Sequence, residues 1–422
     1  MLIGEQNALL LNSNFTRQRL THMTSTERIK TTICLYLNYL VHGMAIVILA
    51  QNMSVLSQQW HVNDAGVSLV ISSLGIGRLL VLYLAGTFSD RLGRKLFVQI
   101  GILTYTLFFV GIIISPNIIV AYFFGILAGM ANSFLDSGTY PALMELYPQR
   151  QATANIMIKA FASIGELLLP IIVAGLDYFQ MWYGWAFLLC IFLMVINFAF
   201  LRQRTFPKLT TNLGNSAKQS HTIQRHTKLT PKKIVIGCIL TVFGYISMAT
   251  FYLVSQWLTK YGSDVIHLNL VHARMLVSIY SVGSILGVIV TALLVERIIK
   301  PVWFMLFDTV VSLLALLALT LVPTWWVALG SSFVIGCSAA GGVMQLGLTV
   351  MSDTFPRAKG RITGIYYTAS GLASFTIPVF TAWISQVGVY EIMWFDVLIA
   401  IVGVLCSLVV LILLREKKTI MV

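Results

Sequence analysis

The chain has 422 residues, 58% hydrophobic and only 10% charged, and its mean hydropathy is +0.85. Charged residues make up about a quarter of an ordinary soluble domain, so these proportions exclude a water-soluble fold and make lipid the solvent. The formal net charge of +13 would suggest nucleic acid in a soluble chain, but here the placement of the basic residues matters more than their sum, and no nucleic-acid partner is expected.

Apolar runs long enough to cross about 30 Å of hydrocarbon, roughly twenty residues each, recur along the chain. In order they are 32–50, 66–86, 97–114, 118–143, 154–174, 182–201, 234–258, 274–295, 302–322, 325–351, 360–384 and 391–414. The bilayer core offers no water to backbone groups, so each run is predicted to be a helix. Runs this long and uniformly apolar exclude barrel strands. The expected fold class is an all-α integral membrane protein: twelve transmembrane helices in two pseudo-symmetric six-helix bundles.

Residues 1–30 are polar and lack the pattern of a signal peptide, which reads as a cytoplasmic tail. Residues 31–201 form the first expected bundle. Residues 202–233 are a basic, polar linker without Asp or Glu, 234–414 form the second bundle, and 415–422 are a short tail. Lys and Arg cluster in the first tail, the linker and the even-numbered loops. The odd-numbered loops carry Lys260 alone, which places both termini in the cytoplasm of a multi-pass cell-membrane protein. Cys34, Cys190, Cys238, Cys337 and Cys406 all fall within spans, as small hydrophobes rather than disulfide or metal ligands.

The halves repeat. Pro148 and Pro170 bracket the fifth span at the same spacing as Pro356 and Pro378 bracket the eleventh, and the first of each pair follows an aromatic residue, Tyr147 or Phe355. Asp90-Arg91 with Arg94 and Lys95 after the second span is matched by Glu296-Arg297 with Lys300 after the eighth. Parallel six-helix repeats are a recurrent transporter plan.

The segment Gly86-Thr87-Phe88-Ser89-Asp90-Arg91-Leu92-Gly93-Arg94-Lys95 closes the second span and opens the third. Its glycines suit close approach and a tight turn, and Asp90 can face the positive N-terminal end of a neighbouring helix. A positive-inside loop would account for Arg91, Arg94 and Lys95, but not for Gly86, Gly93 and Asp90 at this spacing. The segment resembles the signature of the major facilitator superfamily, Gly-x-Leu-x-Asp-Arg-x-Gly-Arg-Lys, with Phe88 as the one departure. The resemblance implies alternating access, with this loop gating the cytoplasmic side against the eleventh helix near Gly360 and Arg361. Ala121 stands where that family usually has an arginine in the fourth helix. Leu169 stands where the drug antiporter signature has glycine before Pro170. Both departures weaken the case for drug efflux.

Ionisable groups deep in membrane helices are costly unless paired or hydrated, so each is a functional candidate. The first half holds Arg78, Asp136, Lys159 and Glu166. Asn132, Asp136 and Tyr140 recur every four residues on one face, and Asn155, Lys159 and Glu166 line another, which implies a wet cavity. Leu135-Asp136-Ser137-Gly138-Thr139-Tyr140-Pro141 also resembles the fourth helix of the fucose permease branch, whose carboxylate serves proton and sugar handling. That resemblance transfers a role to Asp136 alone.

Asp136 is therefore the expected proton-coupling group, followed by His42, which titrates near neutral pH, and Glu166. Arg78, by its planar fork, and Lys159, as a point charge, suit a solute carboxylate or hydroxyl. The plainer alternative is an internal ion-pair network, with Lys159 snorkelling to the interface. Asn38 joins them from the first span. The second half offers Tyr245, Tyr252 and Gln256, then Gln345, Tyr366, Tyr367, Ser370 and Ser374, suited to a hydroxylated ring. Arg274 is expected at the outer end of the eighth span, and Asp308 and Asp396 near helix ends.

The expected function is proton-coupled symport of a small polar solute, a sugar-like polyol or hydroxylated organic acid, by a monomer in contact with membrane lipids. The alternatives are proton-driven efflux of amphipathic compounds, and a non-transporting sensor or lipid-handling protein. No HExxH, phosphate loop or nucleophile elbow occurs, so no enzymatic activity, metal or cofactor is expected.

Overall fold

The computed structural model describes residues 24–147, 151–206, 231–294, 299–355 and 359–415. Among them, twelve long helices follow one another: α1 (Ser25–Gln51), α2 (Asp64–Leu92), α3 (Arg94–Ile114), α4 (Ile118–Leu146), α5 (Gln151–Tyr178) and α6 (Gly184–Arg202). Then come α7 (Pro231–Asp264), α8 (Leu270–Leu294), α9 (Pro301–Leu321), α10 (Trp325–Thr354), α11 (Lys359–Ile384) and α12 (Val389–Arg415). A short helix, Met53–Gln59, joins α1 to α2. Eleven of the twelve are long and apolar enough to cross a membrane; α11 has the length, with Tyr366, Tyr367, Ser370 and Ser374 along it.

Several helices outrun their expected bounds because an apolar count stops at the first charges while the helix continues through the headgroup region. α7 has 34 residues, about 51 Å at 1.5 Å per residue. Side chains cap the starts: Thr24 accepts from the Glu27 N–H, Asn63 from Gly66 and Asn117 from Val120. Much of the loop 202–233, its residues 207–230, lies outside the described residues, as do the tails before residue 24 and after 415.

Helix pairing shows the repeat directly. Within the first half α1 packs on α5 and α6, α2 on α4, and α3 on α4 and α6; within the second, α7 packs on α11 and α12, α8 on α10, and α9 on α10 and α12. Adding six to every member of the first set gives the second. The halves join through α2 with α11 and α5 with α8, two pairs that exchange under the same rule. In lipid, helices associate through close packing more than through hydrophobic burial. Accordingly a Cβ on Gly43 or Gly165 would strike the backbone where α1 crosses α5, and one on Gly77 or Gly129 the backbone where α2 crosses α4.

The bonds between the halves gather toward the face opposite the termini. Ser68 donates to the Pro378 carbonyl at 2.8 Å, Gln51 to the Thr259 hydroxyl at 2.9 Å, and Gln256 to the Ile46 carbonyl at 2.8 Å. Lys260 pairs with Asp64 at 2.8 Å. Arg274, which is buried, pairs with Asp177 and also donates to the Gln51 carbonyl. Arg274 is thus part of a seal across the halves, not merely a group at a helix end. Deleting its partner would leave a buried guanidinium, although Asp177 is about a third exposed and solvent screens part of the attraction. Asp177→Ala should therefore raise reagent access to this face by about tenfold, equivalent to about 1.4 kcal/mol, measured by labelling a cysteine placed at Ser68.

Two expectations for the second half change. Asp308 and Asp396 are each two turns inside their helices, with residue exposures of 5% and 0%. They face the bundle interior rather than an interface, which position in a linear apolar run does not reveal. The five cysteines are free; Cys34 and Cys190 are buried, whereas Cys238 is exposed.

Candidate solute and coupling site

α1, α2 and α4 bring a polar cluster together near the middle of the first bundle. Asp136 accepts from the Tyr39 hydroxyl at 2.6 Å, and the Arg78 guanidinium lies 3.5 Å from its other oxygen. The pair is long. At an effective dielectric of about 20, Coulomb attraction at that distance is about 5 kcal/mol, comparable with the several kcal/mol lost in desolvating each ion. Such a pair is held near balance and can be opened. Tyr140 sits edge-on to the Tyr39 ring at 5.9 Å, and Asn132 is half-buried one turn before Asp136.

His42 meets the Tyr105 hydroxyl at 2.6 Å, with the Tyr39 ring edge-on at 5.7 Å, so it neighbours the Asp136 cluster. Tyr39 and Tyr105 were not singled out from sequence. Tyr39 could have been, because it lies three residues before His42 on the same helix face. From the second bundle, Tyr252 and Tyr367 come within electrostatic reach of Arg78.

α5 supplies a second cluster. Lys159 and Glu166, two turns apart, approach to 3.8 Å, an ion pair beyond hydrogen-bond distance. The Lys159 ammonium also stands 4.6 Å from the centre of the Phe251 ring on α7. Lys159 therefore turns inward across the halves instead of snorkelling. Arg78, Asp136 and Lys159 keep 13%, 19% and 24% of their side-chain exposure in mid-bundle.

Other candidates lie elsewhere. Asn38 is fully buried and accepts from Asn197 at 2.6 Å where α1 meets α6. Tyr366 is fully buried and donates to the Met344 carbonyl, inside the second bundle. Gln256 belongs to the seal, Tyr245 bonds the Thr376 hydroxyl at 2.7 Å, and Gln345 is exposed. The side chain of Asn155 lies outside the described residues.

In the loop motif, Gly93 turns the chain between α2 and α3 at φ 106°, a conformation that favours glycine. Gly86, by contrast, has open space where a Cβ would stand, so it makes no close approach in this conformation. Arg94 reaches the Ser89 hydroxyl at 3.2 Å and the Glu145 carboxylate at 3.4 Å, and Ser89 donates to the Ser137 carbonyl. Lys95 ties the motif to the end of α6 through the Arg202 and Arg204 carbonyls. Arg91 is exposed, and the side chains of Asp90 and Arg361 lie outside the described residues.

A family model described as Major Facilitator Superfamily matches residues 35–307 and 270–421. The chain belongs to the major facilitator superfamily. It is 48% identical over 389 residues to the inner membrane transport protein YdiM of Escherichia coli (strain K12), covering 92% of this chain and 95% of that one. It is 34% identical to the inner membrane transport protein YdiN of the same organism, covering 92% and 91%. Among solved structures, a D-xylose-proton symporter superposes with a TM-score of 0.74 at 15% identity, over 90% of this chain and 97% of that one. At that identity the match concerns the fold. The chain is accordingly a multi-pass membrane transporter of the superfamily, located in the cell membrane.

Proposed function

We propose that this superfamily member is a proton-coupled symporter of a small polar solute, a sugar-like polyol or hydroxylated organic acid, moved by alternating access. The observation that carries the reading is the Tyr39–Asp136–Arg78 cluster, an ion pair and hydroxyl in mid-bundle that are not fully buried. Protonating Asp136 removes its attraction for Arg78 and frees the guanidinium to grip a solute carboxylate or hydroxyl. Tyr252 and Tyr367, within electrostatic reach of Arg78 from the second bundle, suit hydroxyl or ring recognition. Binding would then draw the halves together, with the terminus-bearing face as the cytoplasmic one and Gly86 to Lys95 as its latch. His42 with Tyr105 is the runner-up for carrying the proton. Protons and the solute are the partners of this cycle, and a monomer suffices for it.

The test is uptake into proteoliposomes with an imposed proton gradient, screened over polyols and hydroxy acids. The native chain should accumulate its solute. Asp136→Asn should lose accumulation while retaining exchange of solute between equal pools, because exchange needs no net proton transfer. Gradient-driven accumulation unchanged in Asp136→Asn would remove Asp136 from the coupling role.

A further inference from the structure

On the face bearing the termini, the second bundle ends in a cavity of about 440 Å³. Small-molecule sites commonly enclose roughly 300–1,000 Å³. The first turns of α7 and α9 and the last turns of α10 and α12 line it, and its charged side chains are Lys232, Lys233 and Asp353. The proposed transport cycle uses none of the three.

The lining combines donors, acceptors and hydrocarbon. α7 and α9 begin with Pro231 and Pro301, and the N–H groups of a first helical turn have no acceptor within their own helix. At the start of α9 no side chain caps them. Lys233 adds a half-buried ammonium that makes no ion pair among the described residues. α10 contributes acceptors: the Asp353 carboxylate, and the Thr354 hydroxyl oxygen, whose proton goes to the Val350 carbonyl at 2.8 Å. The rest is apolar, with Ile236 and Val350 buried and Leu413 and Leu414 half-buried.

Neighbouring residues mark the depth of the cavity in the bilayer. Trp303, next to the lining residue Val302, is exposed, and the Arg415 guanidinium stands 4.3 Å from the centre of its ring. An aromatic ring beside a cation at helix ends is characteristic of the membrane–water interface. Phe307, one turn further along α9, and Ile412 on α12 are exposed apolar side chains, suited to lipid tails. The cavity therefore lies level with the headgroups.

Among the side chains described at this end, Lys232, Lys233, Lys300 and Arg415 stand against Asp353 alone. A basic belt on the cytoplasmic side accounts for such a surplus, but not for a cavity that also holds acceptors and an apolar wall. The surplus calls for an anion, the acceptors for hydroxyl donors on the same molecule, and the wall for hydrocarbon. A phosphodiester lipid with a glycerol headgroup supplies all three. A choline headgroup has no donor, and an ethanolamine headgroup cancels the phosphate charge. Basic pockets between membrane helices are a recurrent kind of lipid headgroup site.

We propose that this cavity binds one phosphatidylglycerol molecule, with its phosphate at Lys233, its glycerol hydroxyls at Asp353 and Thr354, and the start of its acyl chains against Val302, Leu413 and Leu414. Binding requires neither the solute nor a proton gradient, so it stands or falls apart from the transport reading.

The experiment is a lipid titration of the purified, delipidated full chain in non-ionic detergent, read by native mass spectrometry. Phosphatidylglycerol, phosphatidylethanolamine and phosphatidylcholine of identical acyl chains are compared. The native chain should retain one phosphatidylglycerol saturably, about tenfold more tightly than either other lipid. Lys233→Gln should weaken this binding by about tenfold, the loss of one charge-assisted hydrogen bond. Val302→Trp, which obstructs the cavity without changing charge, should also weaken it. Lys300→Gln removes an exposed charge at the same end outside the lining and should bind like the native chain. Equal affinity for the three lipids, or preference for phosphatidylethanolamine, would overturn the proposal. So would equal losses in Lys233→Gln and Lys300→Gln, which would leave only a diffuse basic belt, and displacement of the lipid by equimolar glycerol phosphate, which would make this a site for a soluble anion.

Discussion

Lys159→Ala should lower the thermal stability of the purified chain, and combining Lys159→Met with Glu166→Leu should restore most of it while solute uptake stays at least about tenfold down. Glu166 is 1% exposed in its side chain, and Lys159 is its ion-pair partner. Removing one member of a buried pair costs roughly 3–5 kcal/mol, because the survivor remains in a poor solvent. Glu166 can take up a proton once orphaned, which limits the penalty, so a loss of about 3 kcal/mol is expected. Replacing both members by apolar groups of similar volume removes the desolvation cost together with the attraction and is commonly near neutral. Stability alone therefore does not show whether the pair meets the solute. Uptake does. Lys159 lies over the Phe251 ring of the other half, between the halves where the proposed cycle places its solute. A stable double variant that transports at the native rate would reassign the pair to the packing of α5.

The architecture was legible because its signals are long and redundant. Twelve apolar runs, the spacing of Pro148–Pro170 against Pro356–Pro378, and Gly86 to Lys95 all pointed to one plan, and the pairing of α2 with α11 and of α5 with α8 realises it. The candidate site was legible in part. Helical spacing put Asp136 and Tyr140 on one face, and the cost of intramembrane charge singled out Arg78, Lys159 and Glu166.

What sequence left dark was partnership. Asn38 looked like a solute ligand, but Asn197, far along the chain, occupies it. Tyr39 looked like one aromatic among many, yet it donates to Asp136. Asp308 and Asp396 looked peripheral because depth along a helix says nothing of the face on which a side chain lies. Periodicity can show which residues share a face, but the neighbour of that face is set by helix crossings that only tertiary structure supplies.

Gly75→Val should abolish transport and hold the chain open on the face opposite the termini. At this position α2 crosses α11 so closely that an added Cβ would overlap the backbone nitrogen and Cα of Phe375. Backbone atoms cannot rotate away as a side chain can, so the helices must part. Overpacking typically costs 1–3 kcal/mol, and contact with backbone favours the upper end, about 3 kcal/mol. The penalty falls only on conformations in which α2 and α11 touch here; a state with this face open incurs none. A difference of about 3 kcal/mol shifts the equilibrium more than a hundredfold toward that state. Ser68 reports the change, since it is buried in the same contact and bonded to the Pro378 carbonyl. With the native cysteines replaced by Ala, Ser68→Cys should react slowly with a membrane-impermeant thiol reagent applied from that side, and Gly75→Val should accelerate the reaction by at least an order of magnitude. Gly330→Ala is the control, because nothing lies within 4 Å of the atom it adds. Equal labelling with and without the Gly75→Val substitution would mean that α2 and α11 slide past one another without separating, and that the seal rests on the Asp177–Arg274 and Asp64–Lys260 pairs.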